Sequence, residues 1–215
     1  MNIKVCGITT IKQLQQLDGL DVDFAGLIFY KQSPRYVGDK ISKKEIATAD
    51  LDIKTVGVFV NAEYDEIMKT SEAYDLDVVQ LHGDESPYLC EQVSGEIEVI
   101  KAFRIDNTSD KTLDYLIEDY DEVCDYYLFD AASKNLLGGS GTKFDWTKLT
   151  NSKIEKPFFL SGGIGPDDGR LVKGIKHPDF YGMDLNSRFE KEPGVKDMAL
   201  VLKFVHSLKP KMSKQ

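Results

Sequence analysis

A thiol and a carboxyl group occupy matching positions in two short apolar segments of the chain. Cys6 lies in the segment Ile3–Ile8, and Asp130 ends a later segment, two residues after Leu128. Because side chains alternate along a strand, Lys4 shares the face of Cys6. A thiol and a carboxyl group that flank one small molecule are suited to act as base and acid. The alternatives are a small buried apolar residue at Cys6 and a helix cap at Asp130.

Polar residues also stand at the ends of other apolar segments. Gln80 and His82 share one strand face, and Asp184 shares another with Gly182. Polar side chains at the carboxyl ends of parallel strands are typical of active sites. Arg35 follows a further segment, and its planar fork binds a carboxylate or phosphate through two hydrogen bonds, although a solvated side chain is equally consistent. The three histidines lack metal-binding spacing, so we expect no metal site.

Two loops carry the features of a phosphate site. Gly162 and Gly163 follow one apolar segment, and Ser187 and Arg188 follow the next. Exposed backbone N–H groups and a helix N-terminus suit an anion, although a tight turn explains each loop equally well when it is taken alone. Neither these glycines nor the run at 138–141 completes a dinucleotide or nucleoside-triphosphate motif. Together, the two loops favour a site for one phosphate group.

Eight segments must position these side chains. They are short and rich in β-branched and aromatic residues, and we predict strands at Ile3–Ile8, Phe24–Phe29, Ile53–Val60, Val78–His82, Val99–Ile105, Tyr126–Ala131, Phe158–Ser161 and Phe180–Leu185. Helices are predicted after Ser42, Asn61 and Ser86 and at Pro166–Ile175 and Met198–Leu208. Alternating strands and helices require a parallel sheet, and eight evenly spread units favour closure. The predicted fold is α/β, a single compact (β/α)8 TIM barrel over residues 1–208, with a polar tail at 209–215.

The overall composition argues against several classes of protein. The chain has 215 residues and a formal net charge of −9, from 27 Lys and Arg against 36 Asp and Glu. No basic run stands out, which argues against nucleic acid as a partner because that affinity depends on Lys and Arg. No apolar run reaches the length of a membrane span, and the amino terminus lacks a signal-peptide pattern, so we expect a cytoplasmic protein. Three cysteines without a Cys-x-x-Cys pair argue against a disulfide framework.

Seven short motifs carry a resemblance to a known family. In chain order they are Lys4–Thr9, Ser33–Tyr36, Val56–Phe59, Val79–Gly83, Leu128–Asp130, Gly138–Gly141 leading to Phe144–Trp146, and Ser161–Gly163. The match spans residues 3–197 and ends at Glu192–Asp197. Together and in this order, the motifs resemble phosphoribosylanthranilate isomerase of tryptophan biosynthesis.

The resemblance implies an Amadori rearrangement that needs no redox cofactor and no metal. In the family, an aspartate at the position of Asp130 protonates the ring oxygen of N-(5′-phosphoribosyl)anthranilate, and a cysteine at the position of Cys6 removes the proton from C2′. The product is 1-(2-carboxyphenylamino)-1-deoxyribulose 5-phosphate. Arg35 is expected to bind the anthranilate carboxylate.

The same resemblance assigns phosphate binding to Gly162, Gly163 and Ser187. The family commonly has small residues and a glycine where this chain reads Asn186-Ser187-Arg188-Phe189, so Arg188 either contacts the phosphate or blocks close approach of the backbone. The side chains expected to orient the substrate are Gln80, His82 and Asp184.

Two other functions are compatible with the sequence. A related sugar-phosphate isomerase of histidine biosynthesis resembles a two-aspartate arrangement, which the thiol of Cys6 disfavours. A non-catalytic sugar-phosphate-binding barrel would not need both Cys6 and Asp130. The expected partner is a small phosphorylated molecule, with no nucleic acid and no membrane, and the chain is expected to be a monomer or a homodimer.

Overall fold

Eight parallel strands close into a barrel. The computed structural model describes residues 1–105, 113–131 and 152–208. The strands pair in chain order, and β1 pairs with β8 to close the ring. They are β1 Asn2–Cys6, β2 Phe24–Ile28, β3 Lys54–Phe59, β4 Val78–Leu81, β5 Glu98–Ile105, β6 Tyr126–Ala131, β7 Phe158–Ser161 and β8 Phe180–Leu185. The predicted (β/α)8 TIM barrel is confirmed.

Helices cover the outside of the barrel. Those in the described residues are α1 Ile11–Asp18, α2 Lys43–Ala47, α3 Tyr64–Tyr74, α4 Pro87–Ser94, α5 Leu113–Ile117, α6 Gly169–Lys173 and α7 Met198–Leu208. The glycine run at 138–141 and the predicted tail at 209–215 lie outside the described residues. No helix in the described ranges is long and apolar enough to cross a membrane.

The sequence signals for helix starts are confirmed at two positions. Ser42 and Glu45 form a reciprocal capping box at the start of α2. The Ser86 hydroxyl accepts a hydrogen bond from the Leu89 backbone N–H, and Pro87 occupies the first turn of α4. In both caps the serine side chain binds a residue three positions later in the chain, so both could be predicted from the sequence.

Two other helix starts differ from the prediction. Asn61 does not cap α3: its backbone is left-handed, with φ 51°, and its Oδ1 accepts from the Asp84 N–H at 2.7 Å. Asn tolerates this conformation, and here its side chain joins two loops. The helix predicted at Pro166–Ile175 is shorter, because Asp168 Oδ2 accepts from the Gly165 N–H at 2.8 Å and closes a turn ahead of α6.

Side chains alternate between the barrel interior and the interface with the helices. On β1, Cys6 belongs to the interior cluster, whereas Ile3 and Val5 pack in the outer layer. At the amino-terminal end of the barrel, the rings of Phe24, Phe159 and Tyr181 contact one another, with centroids 5.2–6.3 Å apart. These aromatic rings fill that end, so a ligand reaches the interior from the carboxyl ends of the strands.

A small hairpin follows β8 and was not predicted from the sequence. Its strands, β9 Glu190–Glu192 and β10 Val195–Lys196, pair antiparallel. Thr9 Oγ1 and Gln13 Nε2 both donate to the Gly194 carbonyl, at 2.5 and 3.1 Å. These bonds fasten the hairpin to the loop that follows β1, beside the carboxyl end of the barrel.

Candidate active site

Cys6 lies in a tight pocket at the carboxyl end of β1. Its residue is only 4% exposed, and a Cβ at the neighbouring Gly26 would come within 2.8 Å of its Sγ. Gly7, which has φ 82°, ends β1 immediately after it. The strand therefore ends earlier than the predicted Ile8, and the thiol is held at the rim of the interior.

A buried ion pair stands directly below the thiol. Lys4 Nζ donates to Asp184 Oδ1 at 3.0 Å, with side-chain exposures of 0% and 4%. Burial disfavours the charge of Lys4, but Asp184 and then Cys6 outweigh it and raise the pKa of the ammonium group. We treat the pair as ionic, because neutralising the carboxyl would leave an unpaired buried charge.

Burial raises the pKa of the Cys6 thiol, and the charges around it act in both directions. Lys4 lowers the pKa, Asp184 raises it, and Lys196 of β10 lowers it. The thiol form is therefore favoured at neutral pH, and the thiolate form depends on the two lysines. Lys4, which shares the strand face of Cys6 as predicted, supplies positive charge here against a large cost of burial.

Asp130 lies three strands away, in contact with His82. His82 Nε2 is 3.5 Å from Asp130 Oδ2, with side-chain exposures of 22% and 19%. His82 Nδ1 is 2.6 Å from Gln80 Nε2. With the Gln80 amide as donor, Nδ1 accepts and the ring proton is on Nε2, which faces Asp130. Gln80, His82 and Asp130, all predicted as site residues, therefore form a continuous series of side-chain contacts from β4 to β6.

The two sides meet through Asp184. Burial raises the pKa of its carboxyl group, Lys4 opposes this increase, and Asp130 adds to it. Asp184 therefore lies between Cys6 on β1 and Asp130 on β6. Its predicted role of orienting the substrate stays a prediction, and in the structure its carboxyl group binds Lys4.

Arg35 is held by a carboxylate that the sequence reading did not identify. Its Nε and Nη2 bind Glu190 of β9 at 2.7–3.0 Å. Burial raises the pKa of Glu190, but hydrogen bonds and charge from Arg35 and Lys196 outweigh it, so that the pKa is lowered. Within the described residues these bonds use the Nε edge of the guanidinium, which leaves the Nη1 edge for a second carboxylate.

The predicted phosphate loops lie on adjacent strands. Gly162 and Gly163 follow β7 with φ 89° and 69°, in the left-handed region. Ser187 and Arg188 stand in a short 3-10 turn after β8. The Arg188 Cδ lies 3.5 Å from the point that a Cβ of Gly165 would occupy. The structure therefore brings Arg188 beside the loop after β7.

The remaining cysteines lie away from this end and are buried in the layer between sheet and helices. Burial raises the pKa of Cys90 to about 11 and that of Cys124 to about 12. Neither is poised to react, in agreement with packing roles. Among the described residues, no group of three or more His, Cys, Asp and Glu side chains could hold a metal ion.

Glu190 and Lys196 were missed because the residues they contact are far away in sequence. Arg35 and Glu190 are 155 positions apart. One signal was present: the segment Glu192–Asp197 belongs to the family resemblance, and it contains a lysine between apolar and turn residues. The lysine in that segment was therefore the sequence signal for a further functional residue.

Comparisons with known proteins agree with this geometry. A family model described as N-(5'phosphoribosyl)anthranilate (PRA) isomerase matches residues 3–207. A relative from Parabacteroides distasonis, named N-(5'-phosphoribosyl)anthranilate isomerase, is 40% identical over 212 residues, which are 97% of this chain and 93% of the relative.

Two solved structures show the same similarity. Phosphoribosyl anthranilate isomerase from Thermotoga maritima superposes with a TM-score of 0.85 at 30% identity, over 97% of this chain and 98% of that one. Phosphoribosyl anthranilate isomerase in complex with reduced 1-(o-carboxyphenylamino)-1-deoxyribulose 5-phosphate gives a TM-score of 0.77 at 28% identity, with the same coverage. On the family match and the relative together, the chain belongs to the N-(5′-phosphoribosyl)anthranilate isomerase family.

Proposed function

We propose that the chain converts N-(5′-phosphoribosyl)anthranilate to 1-(2-carboxyphenylamino)-1-deoxyribulose 5-phosphate in tryptophan biosynthesis. The observation that carries the proposal is the placement of Cys6 and Asp130 at the carboxyl ends of β1 and β6, and so at the same end of the barrel. The family membership supports the substrate.

The first step is ring opening, with Asp130 as the general acid. Its proton passes to the furanose ring oxygen as the bond from that oxygen to C1′ breaks, and the anilino nitrogen forms a cationic Schiff base with C1′. His82 faces the same carboxyl group at 3.5 Å and stabilises the carboxylate that remains. The partial exposure of both side chains lets Asp130 recover its proton from water.

The second step is removal of the C2′ proton by the thiolate of Cys6. The electron pair of the C–H bond moves to the bond between C1′ and C2′, and the Schiff base becomes a neutral enolamine. Protonation at C1′ and loss of the proton from the 2′-hydroxyl then give the ketone. Because the Schiff base makes the C2′ proton acidic, a small thiolate fraction, stabilised by Lys4 and Lys196, is sufficient.

Two anionic groups of the substrate fix its orientation. Arg35 offers its Nη1 edge to the anthranilate carboxylate, while Glu190 holds the other edge in place. The phosphate binds at the loops after β7 and β8, to backbone N–H groups of Gly162, Gly163 and Ser187 and to the side chain of Arg188. Gln80 and Asp184 act through His82 and Lys4 respectively, rather than by direct contact with the sugar.

The enzyme acts on this phosphorylated small molecule in the cytoplasm, as a monomer or a homodimer. Neither a membrane nor nucleic acid takes part. Sedimentation of the purified protein distinguishes the two oligomeric states.

The proposal is tested by mixing the purified protein with N-(5′-phosphoribosyl)anthranilate and following loss of substrate fluorescence. We expect fluorescence to fall at a rate proportional to enzyme concentration, with the ketone product identified by mass spectrometry after borohydride reduction. Saturable binding without loss of fluorescence would contradict the proposal and support the non-catalytic sugar-phosphate-binding barrel.

A further inference from the structure

Lys196 is a buried cation that the steps above use only as a charge near the thiolate. Its side chain is 0% exposed, although it lies in a two-residue strand of a small hairpin. Its Nζ faces three oxygen atoms: Asn186 Oδ1 at 2.8 Å, Glu190 Oε1 at 2.8 Å and the Asn186 carbonyl at 3.4 Å. Burial lowers the pKa of Lys196, and Glu190 opposes this. Three acceptors match the three N–H donors of an ammonium group, so we treat Lys196 as charged.

The position of Lys196 links two parts of the site that are otherwise separate. Through Glu190 it contacts the carboxylate that grips Arg35, and through Asn186 it contacts the end of β8. The Asn186 Oδ1 that it contacts lies 3.1 Å from the point that a Cβ of Gly7 would occupy, next to Cys6, and the charge of Lys196 lowers the pKa of the thiol. The anchor for the substrate carboxylate and the base therefore share one lysine.

The charges around this lysine do not cancel. Lys4, Lys196 and Arg35 are cations, whereas Asp184 and Glu190 are the carboxylates paired with them. Three positive charges and two negative charges leave an excess of one positive charge in a mostly buried cluster. Burying an uncompensated charge is costly, and the thiolate of Cys6 is the nearest group that can supply the missing negative charge.

We propose that Lys196 is a positioning residue of the reaction: it holds the Arg35–Glu190 pair against β8 and supplies the excess positive charge that stabilises the Cys6 thiolate. This inference rests on the proposed function only for its catalytic meaning, since the state of Cys6 can be measured without substrate. The groups that face Cys6 are Lys4 on its own strand, Asp184 on β8 and Lys196 on β10.

The experiment measures the alkylation rate of Cys6 by iodoacetamide against pH, read by mass spectrometry, because only the thiolate reacts. In Lys196→Met, we expect the midpoint of the rate profile to move up by about one pH unit, which is about tenfold less thiolate at neutral pH. In Glu190→Gln, which removes a negative charge from the same cluster, the midpoint moves to lower pH. Lys196→Arg keeps the charge, so its alkylation rate at neutral pH should stay within about threefold of the wild-type rate.

A merely structural role would not produce shifts of opposite sign. Lys203→Met is the matched control, since Lys203 is an exposed lysine paired with Asp167, and its profile should coincide with the wild type. If Lys196→Met folds and its profile also coincides with the wild type, the proposal is overturned. If Lys196→Met does not fold, Glu190→Gln decides: a midpoint that stays in place or rises overturns the proposal.

In an assay with the substrate, Lys196→Met should affect both the chemical step and substrate binding. In Lys196→Met, kcat/KM at neutral pH falls about tenfold, and KM rises because Glu190 and Arg35 lose a fixed position. An inactive wild-type protein with the expected alkylation shifts would contradict the proposed function and leave this inference supported. An active wild type whose variants show none of those shifts would support the proposed function and overturn this inference.

Discussion

The two sides of the barrel mouth use buried charge in different ways. On the base side, which comprises Lys4, Cys6, Asp184 and the β9–β10 hairpin, the ion pairs lie against the reacting thiol itself. On the acid side, which comprises Gln80, His82 and Asp130, the carboxyl group proposed as the acid has one ion-pair partner among the described residues, the partly exposed His82 at 3.5 Å.

The acid side does contain a buried ion pair, but it lies one loop away from the chemistry. Lys101 Nζ donates to Glu85 Oε2 at 2.7 Å and to the Gly83 carbonyl at 2.8 Å. Glu85 also accepts from the backbone N–H groups of Asn61 and Gly83. This pair fixes the backbone next to His82, whereas the pair on the base side sets the charge of the catalytic group.

The difference follows from the chemistry proposed for each residue. A buried thiol needs nearby cations to lose its proton, so it is surrounded by fixed charge. A general acid must regain its proton in every cycle, so it needs contact with water and only one polar neighbour. Substitutions on the base side should therefore change the pH profile, and those on the acid side should not.

Among the substitutions that compare the two sides, the largest effect is expected from Lys4→Met. It removes the cation nearest to Cys6 and leaves Asp184 buried without its partner. We expect kcat to fall between about tenfold and a thousandfold, because a neighbouring opposite charge shifts a pKa by roughly one to three units. The free energy of unfolding should fall by about 3–5 kcal/mol, measured by urea denaturation. Lys54→Met is the control: Lys54 and Glu98 form an exposed pair on the same barrel, where about 0.5 kcal/mol or less is expected.

Glu85→Gln should reduce stability more than it changes the chemistry. We expect a loss of about 3 kcal/mol at neutral pH, since Lys101 keeps its carbonyl partners but loses its counter-charge. Burial raises the pKa of Glu85, but Lys101 and the hydrogen bonds outweigh it, so the pKa lies below its usual value. The stabilisation from Glu85 is therefore present above the ordinary carboxyl pKa and is lost as the pH falls from there through the lowered pKa of the folded state.

Urea midpoints at neutral and acidic pH check the sign of this effect. The wild type should lose stability on acidification more steeply than Glu85→Gln does. Equal slopes for the two proteins would show that Glu85 carries no such linkage.

His82→Gln tests the acid side without removing the acid. Loss of the imidazole N–H that faces Asp130 should lower kcat about tenfold, the worth of about 1.5 kcal/mol for a hydrogen bond to a charged group. The pH dependence that reports Cys6 should not move. A shifted profile in His82→Gln would remove the distinction between the two sides.

Arg188→Ala is expected to have the smallest effect. In the proposed function its guanidinium contacts the phosphate, so KM should rise up to about fivefold while kcat stays unchanged. Arg170→Ala, at an exposed position in α6, is the control for loss of surface charge. An unchanged KM in Arg188→Ala would exclude a direct phosphate contact.

The parts of the molecule that could be predicted from the sequence depend on local patterns. The eight strands follow from short apolar runs, and the shared face of Lys4 and Cys6 follows from strand alternation. The capping box at Ser42 depends on residues three positions apart. Each of these features is determined by neighbours along the chain.

The parts that could not be predicted depend on contacts between distant residues. The ion pair between Glu190 and Arg35 forms only when folding places β9 beside the loop after β2. Asn61 carries the signal of a helix cap, but the nearby Asp84 N–H offers its side chain a different partner. The hairpin β9–β10 has no alternating apolar pattern that would predict it. It is stabilised instead by hydrogen bonds from Thr9 and Gln13 to the Gly194 carbonyl.

The most direct test of the account is the turnover of Cys6→Ala and Asp130→Asn in the fluorescence assay, with Cys90→Ala as the control cysteine. Both catalytic variants should lose about 10²- to 10⁴-fold in kcat while still binding the product. Cys90→Ala should keep the kcat of the wild type. A kcat within about threefold of the wild type in either catalytic variant would contradict the assignment of the base or the acid.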